Sequence, residues 1–218
     1  IGTIQPVERV ASLLKDLHAW LHVDAVQSFG KRPLDSVVPL AHSVSISSHK
    51  IYGPKGIGAL YVKRKKGVPQ NMKSKTIDIP GVVAFTGASY KQFQRMENDL
   101  KKIEALRDAF EKKLMETNLP IEIFGRSVQR SPYVCGFRID QIEGAYLMQQ
   151  LSQKGLYIST GSACYVGMTD AAMTMQAMRQ PSSIARQFVR ISFGRSTTFQ
   201  QIDELVKTIE LIVEDVYT

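Results

Sequence analysis

Ser47-Ser48-His49-Lys50 is followed at once by Ile51-Tyr52-Gly53-Pro54-Lys55-Gly56-Ile57-Gly58. The run before it, Ser43 to Ser47, is β-type, and Ala59-Leu60-Tyr61-Val62 after the Gly-Pro turn reads as a second strand. Lys50 therefore falls at the carboxyl edge of a strand, where α/β proteins keep ligands. A lysine amine flanked by a hydroxyl and an imidazole has one chemistry that few side chains share, a Schiff base with a carbonyl cofactor. The plain alternative is a turn lysine standing in water.

Three further positions carry chemistry. His22-Val23-Asp24-Ala25-Val26-Gln27 puts a carboxylate late in an apolar strand with an amide shortly after it. A buried carboxylate needs a positive or hydrogen-bonding partner, and a protonated pyridine nitrogen is one; a strand-end or capping aspartate is the other reading. Cys164 lies in the small-residue run Thr160-Gly161-Ser162-Ala163-Cys164 with Gly167 beyond, a polar setting that suits a reactive thiolate. Cys135, among Tyr133, Val134 and Phe137, has the surroundings of an inert core thiol. Arg190 sits within a β pattern ending Gly194-Arg195, and a strand arginine serves either as a fork for a carboxylate or as an exposed edge residue. The methionines at 168, 173, 175 and 178 read as packing, and His18, His22 and His42 show no ligand spacing, so no metal site is expected.

The elements that must position these residues follow from periodicity. Pro6 opens a helix whose apolar stripe runs through Ala19, and Trp20 to Val26 is a strand. Residues 63–80, basic and aperiodic, read as an exposed loop, and a long helix begins at Gly81 and ends at Asn118-Leu119-Pro120. Strands are expected at Ile121–Phe124, Tyr133–Ile139, Leu156–Ser159 and Phe188–Phe193, with helices at Ile142–Ser152, Ala171–Met178 and Phe199–Val216. The 218 residues can bury a good core, and 44% hydrophobic with 22% charged residues is the composition of a globular protein. The net charge of +8 fits an anionic ligand or acidic partner, but the basic residues are scattered apart from Lys63-Arg64-Lys65-Lys66, so nucleic acid is not the expected partner. Two cysteines make no disulfide framework, which points to a reducing, cytoplasmic setting, and no apolar run approaches a membrane span.

Together the motifs resemble a known family, the pyridoxal-phosphate cysteine desulfurases of NifS/IscS type within the class V aminotransferases. His22 to Lys31, Ser47 to Gly56 and Ser159 to Cys164 carry the resemblance in the right order, and Val189 to Thr198 matches the family's Arg-x-Ser-x-Gly-Arg-x-Thr-Thr ending. It implies an α/β fold of type I: residues 1–95 as part of the large mixed-sheet cofactor domain, and 96–218 as the smaller α+β domain carrying the cysteine loop and substrate arginine. It also implies roles. Lys50 would bind pyridoxal phosphate covalently and shuttle the α-proton; Asp24 would pair with the pyridine nitrogen and Gln27 with the ring hydroxyl; Ser47 and His49 would bind the phosphate, and Thr76 would reach the phosphate of a neighbouring subunit. Cys164 would take sulfur from L-cysteine as a persulfide and hand it to an acceptor protein, and Arg190 would clamp the substrate carboxylate.

Against the family's pattern, a first half with its phosphate loop and ring-stacking histidine is missing, and Lys73-Ser74-Lys75-Thr76 stands at the end of what is usually a longer Gly-rich loop, the threonine matching and the family's arginine and glycine not. A homodimeric desulfurase accompanied by the missing half is therefore the leading expectation. The alternatives are an inactive dimerisation or acceptor-binding module, and a related enzyme such as a selenocysteine lyase.

Overall fold

Strand β1 (His22–Asp24) pairs in parallel with β2 (Ser43–Ser47), Val23 opposite Val44 and Asp24 opposite Ser45. Strand β3 (Gly58–Val62) pairs antiparallel with β2, Ser47 opposite Gly58, giving a mixed sheet of order β1-β2-β3. Two parallel neighbours need a crossover of a dozen or more residues. Here the crossover packs Ala25, Ala41, Leu34 and Val38 with Val23, Val44 and Ile46 of the strands. The computed structural model describes residues 1–17, 19–63, 76–160 and 170–217, of which 170–173 as backbone only. They form two compact units, Gln5–Leu100 and a second made of Lys101–Thr218 with Ile1–Ile4.

Within the first unit, helix α1 (Val7–Leu13) is shorter than its apolar stripe predicts, and none of its residues is buried. Leu13 and Leu17 are 70% and 59% exposed. A helix of this length holds only through packing on an apolar face, and the stripe past Leu13 finds none in this unit. Helix α2 (Ile79–Glu116) starts where Asp78 Oδ1 accepts the Gly81 N–H at 3.0 Å, capping an orphan donor. Its early turns set Phe85 and Phe93 edge-on to Phe29, with ring centroids 6.2 and 5.2 Å apart. Gln92 Nε2 donates to the Gly30 carbonyl at 2.7 Å. The turn after β1 is thereby pinned from above.

In the second unit β4 (Ile121–Ile123), β5 (Val134–Ile139) and β6 (Val189–Ser192) form an antiparallel sheet in that order. Four helices complete it: α3 (Gly144–Gln153), α4 (Asp170–Ala177), α5 (Ser182–Gln187) and α6 (Phe199–Tyr217). Ile103, Leu106, Phe110 and Leu114 of α2 are buried, as are Leu147 and Leu151 of α3 and Ile202, Val206, Ile209 and Val213 of α6. Phe110 meets Phe137 and Phe193 at ring distances of 5.9 and 5.7 Å. Phe110→Ala should destabilise this unit by about 3–5 kcal/mol, read as a lower denaturant midpoint by circular dichroism; an unchanged midpoint would show that the aromatic cluster is not what holds it.

One expectation is corrected here, and one element appears that was not expected. Leu156–Ser159 is not a strand: only Ser159 pairs, in a bridge to Arg190. The six-residue helix α5 follows Pro181, where no stripe long enough to read exists. Among the described residues no helix is long and apolar enough to cross a membrane.

Candidate active site

Lys50 belongs to a 3-10 turn, Ser48–Ile51, directly after β2. Ser48 and Ile51 are buried, while His49 is exposed and Lys50 half-buried. The turn is closed by the Gly53 N–H donating to the Ser48 carbonyl at 3.0 Å and the Ser48 N–H donating to Ile57 O at 3.1 Å. Tyr52 takes a left-handed conformation at φ 66°, and a Cβ on Gly53 would collide with Ser48 Oγ. Backbone approach this close explains the glycine at position 53.

Asp24 ends β1, and because β1 and β2 run parallel its carboxylate lies at the same sheet edge as the Lys50 turn. The sequence reading treated it as a buried charge; it is exposed. Its Oδ1 accepts the Val26 N–H at 2.9 Å and the Ser45 hydroxyl at 3.3 Å. Oδ2 takes no hydrogen bond among the described residues, and so is open to a donor.

Ser45 was not singled out from the sequence, and neither was His22 as its neighbour. His22 Nδ1 lies 2.8 Å from Ser43 Oγ and Nε2 3.4 Å from Ser45 Oγ. The signal was there in period-two form: His22 and Asp24 share one face of β1, and Ser43 and Ser45 share one face of β2. What links the two faces is the register between strands.

Gln27 follows in a helical turn that begins at Ala25, and its Oε1 accepts from Lys31 Nζ at 3.1 Å. Burial lowers the Lys31 pKa to about 8, with the neighbouring positive charge of Lys50 adding to the effect. At the end of β2, Ser47 Oγ and His49 Nδ1 are 2.8 Å apart. A serine hydroxyl directed at Nδ1 leaves the Nε2 hydrogen free for an anion. Thr76 is exposed ahead of α2.

The structure thus brings Asp24, Gln27, Ser47, His49 and Lys50 to one edge of the first unit, while Arg190 belongs to the second. Arg190 on β6 faces Gly136 of β5 and exchanges two backbone bonds with Ser159, at 2.6 and 3.2 Å. Its Nε is buried without a hydrogen-bond partner among the described residues. A donor so placed is costly unless a ligand or an undescribed group takes it. Cys135 is fully buried, and burial followed by the Glu111 carboxylate pushes its thiol up to about 12, against the opposing pull of Arg130. It stays protonated and inert. Cys164, with Gly161, Ser162 and Ala163, lies outside the described residues, as does the run Lys73–Lys75.

An amine to hold a carbonyl carbon, a carboxylate with one open oxygen, an amide, and a serine–histidine pair suited to a phosphate make a donor set that fits pyridoxal phosphate.

Comparison with known proteins points the same way. The family described as Aminotransferase class-V matches residues 1–73 and 65–205. The chain is 36% identical over 98% of its length to a putative cysteine desulfurase NifS of Bacillus subtilis (strain 168), covering 57% of that protein. It is 34% identical to a cysteine desulfurase of Nostoc sp., covering 56% of it. Among solved structures, a NifS-like protein superposes with a TM-score of 0.83 at 31% identity, covering 98% of this chain and 58% of the other. The chain therefore spans little more than half the length of the curated relatives it matches. The α/β architecture is that of a part of the fold-type-I enzymes, and the family's enzymes depend on pyridoxal phosphate. With the family model matching most of the chain, the chain belongs to the class V aminotransferase family.

Proposed function

We propose that the complete protein is a cysteine desulfurase that converts L-cysteine to L-alanine and keeps the sulfur as a persulfide on Cys164. The observation that carries this reading is the shared edge: Lys50, Asp24 with its open Oδ2, Gln27 and the Ser47–His49 pair all stand at the carboxyl ends of two parallel strands. Pyridoxal phosphate, when bound, supplies an electron sink for the substrate's α-carbon. Asp24 Oδ2 holds the ring nitrogen, Gln27 the ring oxygen, and Ser47 with His49 the phosphate, while Thr76 reaches the phosphate of the other subunit in a homodimer. Lys50 is the covalent anchor and then moves the α-proton. Arg190 holds the substrate carboxylate through its guanidinium fork.

The Cys164 thiolate attacks the substrate sulfur: an S–S bond forms, the C–S bond breaks, and with the protons returned alanine leaves and the persulfide remains. An acceptor protein of iron–sulfur cluster assembly or of a thiolation pathway then takes the sulfur, in the cytoplasm. In this reading residues 1–95 are the C-terminal part of the cofactor domain and 96–218 the small domain.

The test is to supply the complete protein with pyridoxal phosphate and L-cysteine and to measure alanine and persulfide. One alanine per sulfur supports the reading. Alanine whose amino group comes from a second amino acid would mark a transaminase instead.

Ser45 should matter through Asp24. Ser45→Ala removes one of the two bonds on Oδ1, worth about 1 kcal/mol, so cofactor affinity should fall about five-fold. Equilibrium dialysis measures it, and an unchanged affinity would mean that the Val26 amide alone orients the carboxylate.

A further inference from the structure

Lys31 stands one helical turn after Gln27, half-buried, with Nζ donating to Gln27 Oε1 at 3.1 Å. Its place is imposed by the backbone. The Phe29 N–H donates to Ala25 O at 2.8 Å, and the Lys31 and Arg32 N–H groups donate to Ser28 O at 3.0 and 3.2 Å. Gly30 between them takes φ 68°, with its carbonyl held by Gln92, and a Cβ there would stand 2.7 Å from Gln92 Cγ.

An ammonium can only donate hydrogen bonds, and a carboxamide has one oxygen to accept them. The bond from Lys31 therefore occupies the Gln27 oxygen and turns its NH₂ away. Whatever meets the free end of Gln27 meets a donor, and so has to be an acceptor. A carboxamide not held in this way can present either face, since its two ends have nearly the same shape. The charge is retained as well: at a pKa of about 8, only about a tenth of Lys31 is neutral at pH 7.

We propose that Lys31 is a positioning residue: it orients the Gln27 amide so that Nε2 donates to the anionic ring oxygen of the cofactor. This rests on the reading of the sheet edge as a pyridoxal-phosphate site. A surface lysine paired with a glutamine at i and i+4 for helix support alone would leave the cofactor untouched.

The complete protein and its Lys31→Met, Lys31→Arg, Gln27→Ala and Lys31→Met/Gln27→Ala variants test it. Three quantities are read: the dissociation constant of pyridoxal phosphate, the pH midpoint of its lysine-linked visible band, and the thermal midpoint. For Lys31→Met, loss of a charge-assisted bond should weaken binding about ten-fold. Loss of a positive charge favours the cationic form of the cofactor–lysine link, moving the band's midpoint up by about one pH unit. Lys31→Arg should restore both, and in the Gln27→Ala background the affinity effect of Lys31→Met should largely disappear.

A Lys31→Met protein equal to wild type in affinity and midpoint would overturn the proposal, as would an affinity loss equally large without Gln27. If Lys31→Met does not fold, Lys31→Gln, which removes the charge with little loss of size, carries the same comparison. Failure of the wild-type protein to take the cofactor on Lys50 is a separate result: it overturns the reading of the site and the role of Lys31 with it.

Discussion

Lys50→Ala in the complete protein should hold no covalently bound pyridoxal phosphate. After borohydride reduction and peptide mapping, the wild-type label should sit on the peptide containing Lys50, and the variant should give none. The competitor that matters is Lys31, whose pKa is lowered to about 8 by burial. Its Nζ is engaged with Gln27 and its backbone is locked in the turn pinned by Gln92, so it cannot move into the position Lys50 leaves. Lys55 is exposed in the Gly-Pro turn, and among the described residues no hydrogen bond or ion pair aims it. If Lys50 also moves the α-proton, as proposed, turnover should fall by about 10²–10⁴-fold even where cofactor binds non-covalently, the usual loss on removing a positioned acid–base group. A label on Lys31 or Lys55 in the wild-type protein would refute the assignment.

The second large effect belongs to Cys164→Ser. Cysteine should still perturb the visible band of the bound cofactor, since nothing in substrate binding requires the thiol. Persulfide and alanine should both vanish, because at neutral pH a hydroxyl is almost wholly protonated and a poor nucleophile toward sulfur. Cys135→Ser is the matched control: its thiol, fully buried and pushed up to about 12, has neither the ionisation nor the access to take part. It should lower stability, by removing a well-packed sulfur, and leave alanine production per folded molecule unchanged. Alanine production near the wild-type rate from Cys164→Ser would remove the nucleophile's role. Loss of activity in Cys135→Ser at unchanged cofactor content would reassign it.

Some of the fold could be read directly because its signals are local. The alternation in Ser43-Val44-Ser45-Ile46-Ser47 marks β2 at its observed bounds. The apolar steps through Ile103, Leu106, Phe110 and Leu114 mark the buried face of the later turns of α2. At Leu156–Ser159 the expected strand reduces to one bridge at Ser159, because a short run of three apolar residues carries no information about whether a neighbouring strand will accept it. The stripe of α1 misled in the opposite way, since periodicity records which face is apolar and not whether anything in the unit covers it.

The residue types at the site were legible for the same reason: Asp24, Gln27, Ser47, His49 and Lys50 each lie at a strand end or in the turn beyond it, and strand ends are local features. What they do for one another depended on contacts far apart in sequence. The parallel register of β1 on β2 puts Ser45 under the Asp24 carboxylate and leaves Oδ2 open. The left-handed Gly30 beneath Gln92, 62 residues away, locks the turn in which Lys31 reaches Gln27. Sequence alone thus determined which residue types stand at the strand ends, because side-chain chemistry and local propensity are properties of the residues themselves. Only tertiary structure decided how that chemistry is aimed, because a hydrogen bond depends on a few tenths of an ångström between groups that the chain brings together only when folded.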